Sequence, residues 1–310
     1  MHRENMAPII TFHSPRARVL GTLGEAGPLA GLEAVLLETD ETVSSSHAAF
    51  PLSSSSHAAF PLHSAILQSQ GERALALLQA DPKVARVRDK GGRLPLHVAA
   101  AFAGETLVQA LLSAYPDGAK VRASALEGVK ATGHAAGLPL HFAAEFCDSA
   151  AVVELLVAAY PDAAAKSRTG LGELPLHLGA RHSSSAAVVR ALITANPSAI
   201  GDMMQQRFLP LHLAALYNSS EHVASTLIEA YPGAARIAGS ILKAKTLNTS
   251  DKEHLEYGGF LPPHMAVQHN TSGEGIKALV RAFPGGLTTR GGEQKALPRD
   301  TVALREFGKG

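Results

Sequence analysis

Apolar positions recur along this chain with the period of a helix. Before Pro116 they fall at Val108, Leu111, Leu112 and Tyr115; before Pro161 at Val153, Leu156, Val157 and Tyr160; before Pro284 at Ile276, Leu279, Val280 and Phe283. This i, i+3, i+4, i+7 spacing marks one face of an amphipathic helix. Each stripe ends on a proline, which cannot continue a helix. Upstream of each stripe stands a second landmark. Leu94-Pro95-Leu96-His97 returns as Leu138-Pro139-Leu140-His141, Leu174-Pro175-Leu176-His177 and Leu209-Pro210-Leu211-His212, with looser copies at Phe60-Pro61-Leu62-His63 and Leu261-Pro262-Pro263-His264. Proline here predicts the first position of a helix, where its missing N–H costs nothing. Small pairs follow, at Ala99-Ala100, Ala143-Ala144 and Ala214-Ala215, and let a neighbouring helix approach closely.

The two landmarks keep a near-constant distance. From motif proline to terminal proline (61 to 82, 95 to 116, 139 to 161, 175 to 197, 210 to 232, 262 to 284) the span is 21 or 22 residues. The return segments run from 13 to 30 residues. An extra residue inside a helix turns its apolar stripe out of register, whereas extra residues in a surface loop cost little. The constant span therefore predicts two packed antiparallel helices, and the variable span predicts surface loop. Self-similarity at this period predicts a stacked array of like units.

A helix opened by Pro-Leu-His, followed by Ala-Ala, a short turn and a second helix, resembles the ankyrin repeat, with Asp89-Lys90-Gly91-Gly92 retaining that family's turn. Leu or Phe stands where the family has threonine before the proline, which removes a capping hydroxyl typically worth about 1 kcal/mol. Tyr-Pro replaces the family's Gly-Ala after the second helix. The resemblance implies an all-α, ankyrin-type helical repeat solenoid of about six helix pairs with degenerate end caps. On this reading residues 57–306 are the repeat domain, with long finger-loop insertions at about 117–137 and 233–260, and 307–310 are a tail. Residues 1–27 are read as a disordered leader and 28–43 as a degenerate N-terminal cap helix. Residues 44–56 are a Ser-rich loop, because Ser44 to Leu52 reappears as Ser54 to Leu62. Leu297-Pro298-Arg299-Asp300 reads as a last half-repeat with polar residues in place of the buried Leu-His pair.

Charge and chemistry narrow the functional classes. The net charge is +1, and neither a basic excess nor a basic stripe speaks for nucleic acid; Arg86-Val87-Arg88 is short and diluted and reads as a solvated face. No run reaches the ~20 apolar residues of a membrane span. The leader lacks the apolar stretch of a secretory signal; its Arg3, Arg16 and Arg18 against Glu4 leave organelle targeting as an alternative to a plain leader. A single cysteine, Cys147, forms no internal disulfide, which fits a reducing compartment. The expected location is cytoplasmic, with the nucleus open, and the expected state is a monomer. The Ser-rich loop is open to phosphorylation.

The chain has 15 histidines, which raises metal binding. His63, His97, His141, His177, His212 and His264 share one slot, and packed helices lie ~8–10 Å apart. Zinc needs its nitrogens at ~2.0–2.1 Å, so stacked equivalents do not converge; the family implies instead that each ring bonds turn backbone. Pro95, Pro139, Pro175 and Pro210 with His97, His141, His177 and His212 are thus structural. Cys147 lies near His141, Glu145 and Asp148, but no oxyanion loop accompanies it, and its slot holds Asn218 and Asn270 in other units. We expect no catalysis, no cofactor and no metal.

The resemblance places partner contacts on the concave face. The expected exposed positions lie six and seven residues past the motif proline: Ala101 and Phe102, Glu145 and Phe146, Arg181 and His182, Leu216 and Tyr217, Gln268 and His269. The second of each pair makes a ladder of rings, and aromatic anchors beside arginine typify binding hot spots. The alternative is that Phe102 and Phe146 tuck between helices and fill gaps. The expected function is a protein-interaction scaffold using the concave face and finger loops. Alternatives are a regulatory or targeting subunit recognising its partner through the inserted loops, an enzyme of unrecognised type, or a redundant structural copy.

Overall fold

The computed structural model describes residues 12–14, 17–19, 60–123, 137–166, 172–204, 207–242, 256–269 and 273–287. Twelve α-helices occur among them, in six antiparallel pairs. The pairs are α1 (Pro61–Leu67) with α2 (Gly71–Ala80), α3 (Pro95–Phe102) with α4 (Glu105–Ala114), α5 (Pro139–Phe146) with α6 (Ala150–Ala159), α7 (Pro175–His182) with α8 (Ala186–Ala195), α9 (Pro210–Tyr217) with α10 (Glu221–Ala230), and α11 (Pro262–His269) with α12 (Gly273–Ala282). Every motif proline sits at the opening of its helix. First helices stack on first helices and second on second, with α3 against α5, α5 against α7, α7 against α9 and α9 against α11.

The two kinds of helix differ in burial. In α3 everything from Pro95 to Ala101 is buried, because the first helices form the inner layer between their neighbours and their own second helices. In α4 only Leu107, Val108, Leu111 and Leu112 are buried; Val108, Leu111 and Leu112 belong to the expected stripe, Leu107 joins them and Tyr115 is only half-buried, while Glu105 and Gln109 face solvent. The core is thus continuous along the stack, and Ala99, Ala143 and Ala214 are buried where helices meet closely.

The terminal proline does more than stop a helix. Tyr115 before Pro116 is extended, with φ −149°, as expected of a residue that proline keeps out of the helical region. Pro116 then opens a short 3-10 turn, Pro116–Lys120. The same turn recurs at Pro82–Arg86, Pro161–Ala165, Pro197–Ile200, Pro232–Arg236 and Pro284–Leu287. The expected loops at 117–137 and 233–260 therefore begin as ordered turn, since proline's fixed φ suits the first position of either helix type. Ala85, Ala119 and Ala199 of these turns are buried. Each turn also reaches the next unit: the Arg86 guanidinium lies 4.8 Å from the Tyr115 ring centre and that of Arg236 5.2 Å from the Phe283 ring. In one unit Asn196 replaces the ring and donates to the Ala164 carbonyl at 3.2 Å.

Strands appear only outside the helix pairs. Ala123 and Gly137 form an antiparallel bridge at the base of the first insertion, and residues 124–136 lie outside the described residues. In the leader β1 (Phe12–Ser14) pairs with β2 (Ala17–Val19). In the last insertion β3 (Gly239–Leu242) pairs antiparallel with β4 (Glu256–Phe260), with an irregularity between Gly239 and Ser240. Gly239 is required at this base, because a Cβ there would meet the Phe208 ring at 2.8 Å. The expected cap helix at 28–43, the Ser-rich loop at 44–56, and the half-repeat and tail beyond 287 lie outside the described residues.

Candidate functional site: the inner face and the turn edge

Pro-Leu-His builds a bonding pattern that repeats from unit to unit. The backbone N–H of Leu94 donates to His97 Nδ1 at 3.0 Å, and Leu138, Leu174, Leu209 and Leu261 do the same to His141, His177, His212 and His264. The proton is thereby assigned to Nε2, which donates to a carbonyl just past the 3-10 turn that closes its own helix pair. His97 reaches Val121 at 3.0 Å, His141 Lys166 at 2.9 Å, His177 Asp202 at 3.1 Å and His212 Ile237 at 2.9 Å. The ring at the third helical position thus satisfies the N–H of the residue before the proline, while the third-position N–H that a threonine hydroxyl would cap donates to a backbone carbonyl instead, His97 to Leu94 at 3.0 Å. Burial drives His97 down to about 3 and His177 and His212 to about 4, against the opposing pull of their carbonyl bonds. Among the described residues, no group of three or more His, Cys, Asp or Glu could hold a metal ion.

The expected exposed positions need correction. Ala101, Glu145, Arg181 and Leu216 are buried, at 4%, 2%, 5% and 6% exposure. Successive helical residues turn by 100°, so positions six and seven past the proline cannot both face the groove, and the sixth points toward the neighbouring first helix. Glu145 and Arg181, of opposite sign, occupy this slot on adjacent helices, which makes burying them together less costly than burying either alone. The seventh position carries what the inner face shows: Phe102, Phe146, His182 and Tyr217 are half-buried. The Phe102 and Phe146 rings lie 5.9 Å apart, tilted by 33°. They both pack on each other and present ring surface, so the ladder and the gap-filling alternatives each describe part of their role. The Arg181 guanidinium lies 4.6 Å from the Tyr217 ring centre, a cation–π distance. The side chains of Gln268 and His269 lie outside the described residues.

Cys147 belongs to a structural row. Its Sγ accepts from the Ser149 N–H at 3.4 Å, just as Ser183 Oγ accepts from Ser185 at 3.1 Å and Asn218 Oδ1 from Ser220 at 2.8 Å. Each pins the turn between the two helices of its unit, as the shared slot in the sequence suggested. Burial pushes the Cys147 thiol above its usual pKa, opposite to what a nucleophile needs. Cys147 in the native protein is expected to react with a disulfide reagent at least about tenfold more slowly than in denaturant, where the thiol returns to its free pKa. A native rate equal to the denatured rate, read by absorbance, would contradict this packing.

On the outer face, α4 and α6 flank an open cleft of about 500 Å³ lined by Glu105, Thr106, Gln109, Ala151, Glu154, Leu155 and Ala158. None of the positions expected to bind lies in it. No helix among the described residues is long and apolar enough to cross a membrane.

Comparison with known proteins agrees with the geometry. The family profile for ankyrin repeats, in three copies, matches residues 140–238. The human ASB11 ankyrin repeat domain has a similar crystal structure, with a TM-score of 0.53 and 20% identity over 78% of this chain and 90% of that one. At that identity the likeness establishes the fold. No curated protein matches the sequence.

Proposed function

We propose, from the premise that this chain is an ankyrin-repeat protein, that it is a non-catalytic scaffold holding a protein partner on the inner face of its stack. Ankyrin repeats are in general protein-interaction modules, and their fold is typically non-enzymatic. The observation that carries the finer reading is the row of half-buried rings, Phe102, Phe146, His182 and Tyr217, at one slot of four successive helices. Rigid aromatic surface with few rotamers to lose, beside a stacked arginine, is what binding hot spots are made of. A monomer in the cytoplasm or nucleus, reading its partner with no metal or cofactor, is the simplest form of this function.

Phe146→Ala with Tyr217→Ala tests it. Both side chains are half-exposed, so circular dichroism and the melting temperature should change little. Affinity-captured partners identified by mass spectrometry with the native chain should fall by about tenfold or more, the usual size of a hot-spot truncation. Undiminished capture by a folded double variant would place the contact elsewhere.

The second reading, recognition through the inserted loops, has one observation in its favour. The last insertion is anchored by the β3–β4 pair on a glycine that Phe208 covers, so it projects from a fixed base. Deleting 243–255 separates the two readings, because only the loop reading predicts lost capture.

A further inference from the structure

Arg86-Val87-Arg88 looks like an ordinary solvated charge run while the chain is read as a line. The fold changes its company. The turn Pro82–Arg86 and the turn Pro116–Lys120 occupy equivalent places in successive units, so Lys120-Val121-Arg122 stacks beside Arg86-Val87-Arg88. Arg88 Nη1 marks the junction, donating to the Gly92 carbonyl at 3.1 Å and to the Arg122 carbonyl at 3.3 Å. Lys83, Arg86, Arg88, Lys90, Lys120 and Arg122 are all exposed on this edge. Against them stand only two exposed carboxylates in the same two segments, Asp81 and Asp117, the second paired with Lys120 at 2.9 Å. The third carboxylate, Asp89, is buried and neutralised by Arg93 at 2.7 Å. A chain with a net charge of +1 therefore concentrates a surplus of four positive charges at the surface of two neighbouring turns.

Two of the cations are held in place. The Arg86 guanidinium lies over Tyr115, 4.8 Å from the ring centre, and guanidinium N–H groups suit a planar acceptor such as a carboxylate. Arg88 is fixed by its two carbonyl bonds. Val87, between them, is 43% exposed, one of two large hydrophobic side chains so exposed among the described residues. An apolar side chain between two held cations suits a partner that alternates acidic and apolar residues. It suits a nucleic-acid backbone less well, since that offers nothing for Val87. The patch is also bounded along the turn seam by Asp81, Asp117 and Asp162, which would repel a long uniform polyanion.

We infer that the turn edge formed by Lys83, Arg86, Arg88, Lys90, Lys120 and Arg122 is a docking surface for an acidic, leucine-containing peptide segment of a protein partner. The inference stands apart from the ring row and survives its failure, because it rests on different residues. The partner's carboxylates meet the guanidinium edges of Arg86 and Arg88, and an apolar side chain covers Val87. Steering by the surplus charge raises the encounter rate and makes binding salt-dependent.

The test uses the full chain and a short fluorescein-labelled peptide of Glu and Asp interrupted by leucine, followed by anisotropy. The same peptide with Gln and Asn in place of the acids is the control. Lys83→Glu with Lys90→Glu reverses charge at two exposed side chains, and circular dichroism checks that the variant folds. The dissociation constant for the acidic peptide is expected to rise about tenfold in the variant, and to rise likewise in about 1 M salt, where screening shortens to about 3 Å. Phe146→Ala with Tyr217→Ala should leave it unchanged. No binding of the acidic peptide at low salt, or equal binding by the charge-reversed variant, overturns the inference. So does tighter binding of a single-stranded oligonucleotide or of an anionic phosphatidylserine vesicle, which would assign the edge to another class of partner.

Discussion

Mild acid is expected to unfold this chain cooperatively, with loss of helical circular dichroism centred between about pH 4 and pH 5.5. The cause is the row of neutral histidines. His97 is held at about 3 and His177 and His212 at about 4, while an unfolded histidine titrates near 6.5. Burial lowers His63 as well. A histidine kept neutral by the fold contributes its full share above the unfolded pKa. That share falls as the pH drops toward the folded value, because the unfolded state takes up the proton first. By about pH 4.5 each of the three deeply shifted rings costs roughly 2–3 kcal/mol, together a large part of the 5–15 kcal/mol that typically holds a domain. His97 has Asp89 and Arg88 in its field, pulling in opposite directions, and neither outweighs burial. His177→Gln is expected to lower the acid midpoint, since glutamine at the third helical position can still accept from the N-terminal backbone and does not titrate. A native chain fully helical at about pH 3.5 would refute the shifts.

Phe142→Ala is expected to cost about 3–5 kcal/mol, the range for emptying a buried aromatic site. Phe142 is wholly buried in the middle of the stack, and its ring stands edge-on to His97 at 5.3 Å between centres. Truncation opens a void and removes the wall against which His97 is seated. In an array where each unit touches only its neighbours, a weak central unit uncouples the two sides. The thermal transition should therefore shift down by several degrees and broaden, and calorimetry should resolve it into two steps. A single sharp transition, shifted but unbroadened, would mean that the stack melts as one block whatever its weakest unit.

The helix pairs are legible because two prolines bracket each one at a span of 21 or 22 residues. The buried stripe of α4 and the inner-layer burial of α3 follow from that spacing. What lay beyond reach is instructive. A proline after an apolar stripe marks the end of a helix, yet its fixed φ equally opens the 3-10 turn at Pro116. A pair of adjacent positions does not share the inner face, because a turn of 100° per residue separates Leu216 from Tyr217 and buries the first of them. The β3–β4 pair carried no alternating pattern to announce it; Gly239 is explained only by Phe208, which is distant in sequence. Cys147 was placed by its slot, and the bond from Ser149 gives the reason for that slot. Arg88 could not be matched with Arg122 from the sequence alone, because their adjacency is a product of stacking.

The bond from each of His97, His141, His177 and His212 to a carbonyl 24 or 25 residues downstream has a bearing on synthesis. On the ribosome that bond cannot form until the turn closing the unit has emerged. Until then the Nε2–H of the newest inner helix has only water to donate to.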